Sequence, residues 1–576
     1  MQLWSTKLHL NDVTTDTIKY LSGILQGDCL SLILFVLSVN PLSFLLKLLP
    51  GYQAGPLGQR DTKINHLFFV DDLKTYAQDE MGAKLQLELV SKFTKDIGME
   101  FGKDKCAHVY VHKGKRKSIG EKFSIKEMEI DELEEGDRYK YLGQDECIGY
   151  DDMINKDRVI KEYFRRVRKI WNSELYANNK SNAHNTFAIP VVTPTFGILN
   201  WTKEELSAID IKTRKILSST GSFHVNSDVD RLYSPRTNGG RGLNSLTDIY
   251  ISRTVSISWH LKERSPHNPF LALVTKHEDT LMRVASQLIQ CFDVNTNDHE
   301  NPKSVTKRLT EKIKQNHVHA WIEKPQHGYL MRTRVKVENC DATLTNAWMK
   351  KSTFSSHVEG YLCAVQEEEI FTNALKTKRL KDHETKAYCR LCKRNKETIQ
   401  HIIAACPRLS ISMYLPWRHN KVANIIYQSI HPKTDQNTRQ RITEVYTDEK
   451  TEIWWDTRIK TLVKLEHDKP DIVLWKRDEQ KCFIIDICVC LDVNIDKNIE
   501  LKQNYYLPLA AELKRLYPEY TYEVLPVIIG ATGLVTKQIV DNLKKLKVDN
   551  IEETILKCQK NALTGTMKII KCFMKM

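Results

Sequence analysis

Three groups of residues in this 576-residue chain have types and spacings that can do chemistry. The first is Leu67-Phe68-Phe69-Val70-Asp71-Asp72-Leu73, where an apolar run meets two adjacent acids. It reads as a buried strand ending in a tight turn. Two carboxylates buried beside phenylalanines are costly unless a cation offsets them, and their hard oxygen ligands suit Mg²⁺. An exposed hairpin turn with Asp at its centre is the alternative. The second group is Asp471 and Asp486. Asp471 follows Pro470 and opens Ile472-Val473-Leu474-Trp475, and Asp486 lies inside Phe483-Ile484-Ile485-Asp486-Ile487-Cys488-Val489. An unpaired acid in such a run is expensive, so two strand-borne carboxylates converging on Mg²⁺ or Mn²⁺ are expected, with strand-end solvation or a salt bridge as the alternative. The third is Cys389-x2-Cys392-x8-His401-x4-Cys406. Three thiolates and one imidazole at these separations close a tetrahedron on Zn²⁺, and four protein ligands leave no open position, so the site is structural.

The elements that must position these groups are partly legible. Residues 471–475 and 481–489 read as paired strands joined by a hairpin at Arg477-Asp478-Glu479-Gln480. A helix is expected over 499–516, a strand over 523–530 and a helix over 535–546. Lys502 and Tyr506, one helical turn apart, share a helix face. His401 and Cys406, on the apolar run with Ile399, Ile402 and Ile403, suit a short helix. Residues 30–49 are apolar enough to suggest a membrane span, but Ser38, Asn40, Pro41, Ser43 and Lys47 interrupt them. A buried helix breaking at Asn40-Pro41 is the reading adopted. Residues 113–270 read as mostly helical and basic, with a cationic cluster at Lys113-Gly114-Lys115-Arg116-Lys117.

Composition bounds the answer. Hydrophobic residues make up 41%, enough for several packed domains, and the formal net charge of +14 is consistent with a polyanionic partner. Fourteen cysteines lack the density of a disulfide scaffold, which fits a reducing compartment. No charged segment followed by an apolar run opens the chain as a signal peptide would.

Four stretches carry a resemblance: Gly23-Ile24-Leu25-Gln26-Gly27-Asp28-Cys29-Leu30-Ser31, the segment around Asp71-Asp72, Gly98-Met99-Glu100-Phe101-Gly102-Lys103-Asp104-Lys105-Cys106, and Tyr139-Lys140-Tyr141-Leu142-Gly143. In this order they resemble the palm of a reverse transcriptase of the non-LTR retrotransposon type. The resemblance implies that Gln26 and Gly27 touch the template–nucleotide pair. It makes Asp71 a metal ligand with Asp72 in support, and sets Lys105 near the nucleotide phosphates. Leu32 departs from the proline usual there. An essential Asp on an earlier strand has no counterpart, because only Asp12 and Asp16 precede Gln26, in a polar run. The expectation is therefore an N-terminally truncated palm and a deficient polymerase. Ala188-Ile189-Pro190-Val191-Val192, Phe196-Gly197-Ile198-Leu199-Asn200-Trp201, Asp228-Val229-Asp230-Arg231-Leu232-Tyr233 and Gly239-Gly240-Arg241-Gly242-Leu243 extend the resemblance, with Arg231 and Arg241 as candidate nucleic-acid backbone contacts.

The Cys/His motif is similar to the knuckles that lie between polymerase and nuclease in that family and are thought to bind nucleic acid; Arg390, Lys393, Arg394 and Lys396 supply cations. Pro470-Asp471, Asp486, Trp455-Asp456 and Val527-Ile528-Ile529-Gly530-Ala531 resemble the family's restriction-like endonuclease, which cuts a phosphodiester with metal-activated water. The lysine expected two residues after the second acid is Cys488. The family's substitute on the next helix falls at Tyr505, which leaves Lys502 as the catalytic candidate.

The resulting expectation is a multidomain α+β chain. It comprises a partial palm (1–112), a helical thumb region (113–270), a helical linker (271–384), a zinc knuckle (385–410), a helical connector (411–449) and an α/β restriction-like endonuclease domain (450–576). Its function would be RNA-directed DNA synthesis linked to DNA nicking for target-primed reverse transcription, with the polymerase incomplete. The alternative is an inactive nucleic-acid-binding relic. Expected partners are an RNA template and a DNA target, with no membrane, inside the cell and in the nucleus.

Overall fold

The computed structural model describes residues 5–10, 13–19, 29–55, 62–102, 105–118, 123–125, 128–134, 136–146, 152–277, 279–296, 300–351, 353–380, 386–431 and 445–576. The fold is mixed α/β and divides into two compact units, one of residues 1–158 with 256–287, the other of 159–255 with 288–576. This division is coarser than the six segments expected from sequence.

In the first unit, helix α1 (Cys29–Leu48) runs without a break through Pro41. Both parts of the expectation for this segment are corrected. Pro41 and its neighbour Leu37 are exposed, so water can satisfy the Leu37 carbonyl that proline leaves without a donor. Nor is the helix buried: Val39, Leu42 and Leu46 form a narrow core stripe, while Leu32, Ile33, Leu37, Phe44 and Leu48 stay exposed. By length and composition alone this helix is apolar enough to cross a membrane. Strands β1 (His66–Phe69) and β2 (Asp72–Thr75) form an antiparallel hairpin. Helix α2 (Glu80–Asp96), capped by Asp79 accepting from Gly82 N at 2.8 Å, packs Val90 and Phe93 against Leu42, Leu46, Phe68 and Leu73.

The described residues between 113 and 146 form short strands and hairpins, so the reading of 113–270 as mostly helical holds only beyond them. Their turns decide it: Lys113-Gly114 and Leu142-Gly143 have positive φ at both central positions, which matches hairpin twist. The second of these turns joins β3 (Tyr139–Tyr141) to β4 (Gln144–Glu146).

The second unit begins with helices. Helix α3 (Asp152–Trp171) buries Tyr163, Phe164, Val167 and Trp171 against Leu206, Ile209 and Leu217 of α4 (Lys203–Ser219). Arg231 and Arg241 are not at the surface to meet phosphate, and this corrects the sequence reading. They are 3% and 2% exposed, Arg231 paired with Glu367 at 3.1 Å and Arg241 with Glu359 at 3.0 Å; Arg236 joins Glu359 at 2.7 Å. The glycine run turns the chain inward here: Gly239 is left-handed, and a Cβ on Gly240 would lie 2.2 Å from the Ser234 carbonyl oxygen. The chain expected as a linker is helical, and from residue 288 it belongs to this unit. Arg334 binds Asp492 at 2.9 Å, and Asp341 N donates to Val535 O at 2.9 Å.

The C-terminal layer is a five-stranded sheet of β5 (Val445–Thr447), β6 (Thr451–Trp455), β7 (Ile472–Lys476), β8 (Lys481–Cys490) and β9 (Thr521–Gly530), in that spatial order. Neighbours are antiparallel except β8 and β9, which are parallel and joined through α5 (Ile495–Leu516). A parallel pair needs such a crossover. Period-two alternation sorts the residues. Ile472, Leu474, Phe483, Ile485 and Ile487 face a core shared with α6 (Lys537–Lys545) and α7 (Ile551–Phe573). Val473, Trp475, Cys482 and Ile484 face α5 through Tyr506, Leu509 and Leu513.

Candidate metal and nucleic-acid sites

Asp471 and Asp486 meet because of the β7–β8 register. Ile472 stands opposite Ile485, so Asp471, one residue earlier, comes opposite Asp486. Both share the parity of Val473 and Ile484 and therefore the α5 side of the sheet. The Asp471 carboxylate accepts from Ile487 N at 2.6 Å, which fixes it against β8. Asp486 is 3% exposed, and its buried Oδ2 lies 2.8 Å from Lys502 Nζ without accepting an aligned hydrogen bond. Burial, and then the neighbouring Asp471, push the Asp486 carboxyl above its usual range; Lys502 works the other way. Lys502 is itself raised, because Asp486 outweighs the cost of burial. It is thus an ammonium at neutral pH. Of the two tyrosines beyond it, Tyr506 is buried and donates to Lys469 O at 3.2 Å, whereas Tyr505 stacks on His467 at 4.2 Å. Cys488 follows Asp486 on the same face, within electrostatic reach of Lys502 on α5.

His419 is a member of this site that sequence reasoning missed. It closes a π-helix (Ser410–His419), and its Nε2 donates to Ile487 O at 3.0 Å and to Asp471 Oδ2 at 3.2 Å. Burial opposes its charge, but the Asp471 carboxylate lifts it to about 9. It precedes Asp471 by 52 positions with no motif around it, so the sequence offered no signal. Two carboxylates side by side on one face of the sheet fit a divalent cation of hard character.

Cys389, Cys392, His401 and Cys406 bring their ligand atoms within 4.8 Å of one another. Cys389 and Cys406 sulfurs are 3.9 Å apart, and Cys392 Sγ is 3.3 Å from His401 Nε2. The helix expected at His401 is a π-helix (His401–Ala405) that ends at the extended Cys406. Its wider turn brings residues five apart toward one side, which an α-helix does not. Burial raises the Cys406 thiol to about 11, and the other two sulfurs add to it. Three thiols this close ionise together only around a cation, so the set fits zinc. Glu397, fully buried, accepts from Arg390 at 2.7 Å and from Asn373 N at 2.9 Å, locking the turn. Arg390 is therefore engaged, its guanidinium 5.0 Å over Phe573, while Lys393, Arg394 and Lys396 are exposed.

Asp71 and Asp72 are exposed at the β1–β2 tip, which corrects the buried reading. Val70 makes the turn at φ 59°, a strained conformation for a β-branched residue of the kind that clusters at functional sites. Exposed Lys105 lies on a loop held by Tyr139, whose hydroxyl donates to Lys105 O at 2.7 Å. Burial raises that tyrosine's pKa, and Cys106 and Asp72 add to it, which places Asp72 nearby. Among the described residues, no third carboxylate completes a metal-holding group with Asp71 and Asp72. Gln26 and Gly27 lie outside the described residues.

No protein-family model matches the chain. It is similar to the retrovirus-related Pol polyprotein from the type-2 retrotransposable element R2DM of Drosophila melanogaster, with 26% identity over 278 residues. The match covers 46% of this chain and 25% of that protein's length. The likeness supports a relation to non-LTR retrotransposon proteins at family level.

Proposed function

We propose that the chain acts on DNA as a metal-dependent endonuclease in the manner of a retrotransposon Pol protein, with Asp471 and Asp486 holding Mg²⁺ or Mn²⁺. The observation that carries this reading is the placement of both carboxylates on one face of β7 and β8, with Lys502 2.8 Å from Asp486. The bound metal would supply a water of lowered pKa for attack on a phosphodiester. Asp471 and Asp486 hold the ion, His419 orients Asp471, and Lys502, charged, offsets the negative charge that develops on the phosphate. The knuckle, with structural zinc, presents Lys393, Arg394 and Lys396 to nucleic acid beside exposed Tyr388. The finer layout of palm, thumb, linker, knuckle, connector and restriction-like domain belongs to the same proposal, as do RNA template, DNA target and a nuclear site of action. Two-metal nucleotidyl transfer needs a further carboxylate beside Asp71 and Asp72. Any DNA synthesis would rest on Asp71 and Asp72 together with such a carboxylate.

A second reading, an inactive nucleic-acid-binding protein, is favoured by one observation: Cys488 stands where a lysine would follow the second acid. Incubation of the purified protein with supercoiled plasmid and Mg²⁺ or Mn²⁺ separates the two. Nicking that disappears in Asp471→Ala and in Asp486→Ala supports the first reading. Plasmid bound at low salt but never nicked supports the second.

A further inference from the structure

The solvent face of α7 carries a row of lysines that no chemistry above uses. Lys557, Lys560, Lys568 and Lys571 lie on the helix and Lys575 just beyond its end. At 3.6 residues per turn all five fall within an arc of roughly 80°, and at 1.5 Å per residue the row is about 27 Å long. From residue 554 to 576 there is no acid. Lys557 pairs with Glu553 at 2.8 Å, but among the described residues no carboxylate lies within ion-pair distance of Lys560, Lys568, Lys571 or Lys575. Aromatic rings lie beneath the heads instead: Lys568 is 4.3 Å over Trp417, Lys571 4.9 Å over Tyr361, and Lys560 5.7 Å over Phe354. The helix dipole accounts for cations in a last turn only, which covers Lys571 and Lys575 and leaves the others.

The row also leads somewhere. Trp417, under Lys568, stands two residues before His419, which binds Asp471. The apolar side of the same helix stretch packs Ile569, Ile570 and Phe573 against the knuckle ligands Cys389 and Cys406.

We propose that this lysine row is a track for the phosphate backbone of duplex DNA, leading the strand toward Asp471 and Asp486. The spacing suits it: within Lys557/Lys560 and within Lys568/Lys571/Lys575 the side chains leave the helix about 5–6 Å apart at Cβ, close enough for their flexible stems to meet neighbouring phosphates. The assignment of duplex DNA rests on the endonuclease reading; the attraction of the row for phosphate does not.

The test is the affinity of zinc-loaded full-length protein for a fluorescein-labelled 30-base-pair duplex of arbitrary sequence, over a salt series without divalent metal. The Lys568→Ala/Lys571→Ala/Lys575→Ala variant is expected to bind at least tenfold more weakly at 100 mM salt. Its slope of log affinity against log salt should be smaller by about 2 to 3. A control variant, Lys514→Ala/Lys544→Ala/Lys545→Ala, removes three exposed lysines from other helices and should bind as wild type. Equal losses in both variants, or no loss in the first, overturn the proposal. An RNA of the same length is the second probe: loss of RNA binding with duplex binding intact overturns the DNA assignment. The Lys→Arg triple variant should restore duplex binding and guards against misfolding. If neither protein nicks plasmid yet the Ala variant loses duplex binding, the endonuclease reading falls and the phosphate track stands. If nicking is normal in the Ala variant at every salt concentration, the track falls alone.

Discussion

Asp486 and Lys502 are the pair on which the chemistry turns. A carboxylate buried inside an apolar strand keeps its charge only beside cations, and among the described residues Lys502 is the cation within ion-pair distance of it. Replacing Lys502 with Ala should lower the initial nicking rate by about 10²-fold or more, the usual loss when a charge-stabilising group is removed. Unchanged plasmid relaxation would remove Lys502 from the mechanism. His419→Gln keeps a donor near Asp471 but not the charge, so its loss should be smaller than that of Lys502→Ala. Asp471 and Asp486 stood out in the sequence as acids in apolar strands, and the strand register brings them together; Lys502 came from the resemblance, and the fold sets it 2.8 Å from Asp486. His419 was not legible, since its contact to Asp471 comes from tertiary packing of a connector with no pattern of its own. Arg231 and Arg241 misled in the opposite direction. Arginine reads as a phosphate ligand by type, and only the paired Glu359 and Glu367, more than a hundred residues away, show that it is core.

At the scale of elements, the knuckle and the buried charge network make separate predictions. Ile402, Ile403, Cys389 and Cys406 share one core with Ile569, Ile570 and Phe573 of α7. Loss of zinc should therefore loosen more than a loop. Cys392→Ser, or chelation, is expected to lower the Tm by at least about 5 °C, and atomic absorption should find one zinc per chain. A Tm indifferent to chelation would contradict a structural metal.

His317 bridges Asp230 and Asp248, both at 2.8 Å, and these bonds, against the cost of burial, lift it to about 9. Its folded pKa exceeds the unfolded value of 6.5, so its contribution is complete below pH 6.5 and lost as pH rises through about 9. Asp230, held down to about 2 chiefly by His317, contributes fully above its unfolded 3.8 and loses this as pH falls toward 2. The network should therefore be strongest between about pH 4 and 6.5. The alkaline loss should be on the order of 3 kcal/mol. His317→Gln should flatten the fall in denaturant midpoint between pH 6.5 and 9; an identical pH profile would rule the bridge out.

In the C-terminal layer the strands and helices read between 471 and 546 lie within a few residues of the structure, while β5, β6 and α7 were not read from the sequence. Where it failed, at residues 113–146 and at Pro41, the deciding facts were left-handed turn residues and solvent around a proline, which periodicity does not register.

For the whole molecule, the two compact units divide the candidate chemistry: Asp71 and Asp72 belong to one, Asp471, Asp486 and the knuckle to the other. If nicking resides in the second, an Asp71→Ala/Asp72→Ala protein should nick plasmid at the wild-type rate, and a large loss would show that Asp71 and Asp72 take part. The net charge of +14 is consistent with a polyanionic partner but says nothing of a place of contact. That comes only from the fold, which spends arginines such as Arg231 and Arg390 on buried acids and leaves lysines such as Lys568 at the surface.

The proposed chemistry requires Asp471 and Asp486 to form one divalent-metal site. Mn²⁺ binding to the zinc-loaded protein, followed by the loss of the free-ion paramagnetic resonance signal, tests this without requiring turnover. Saturable binding should be present in the wild type and in Asp71→Ala/Asp72→Ala, and absent in Asp471→Ala/Asp486→Ala. Binding that survives removal of Asp471 and Asp486 would contradict the account.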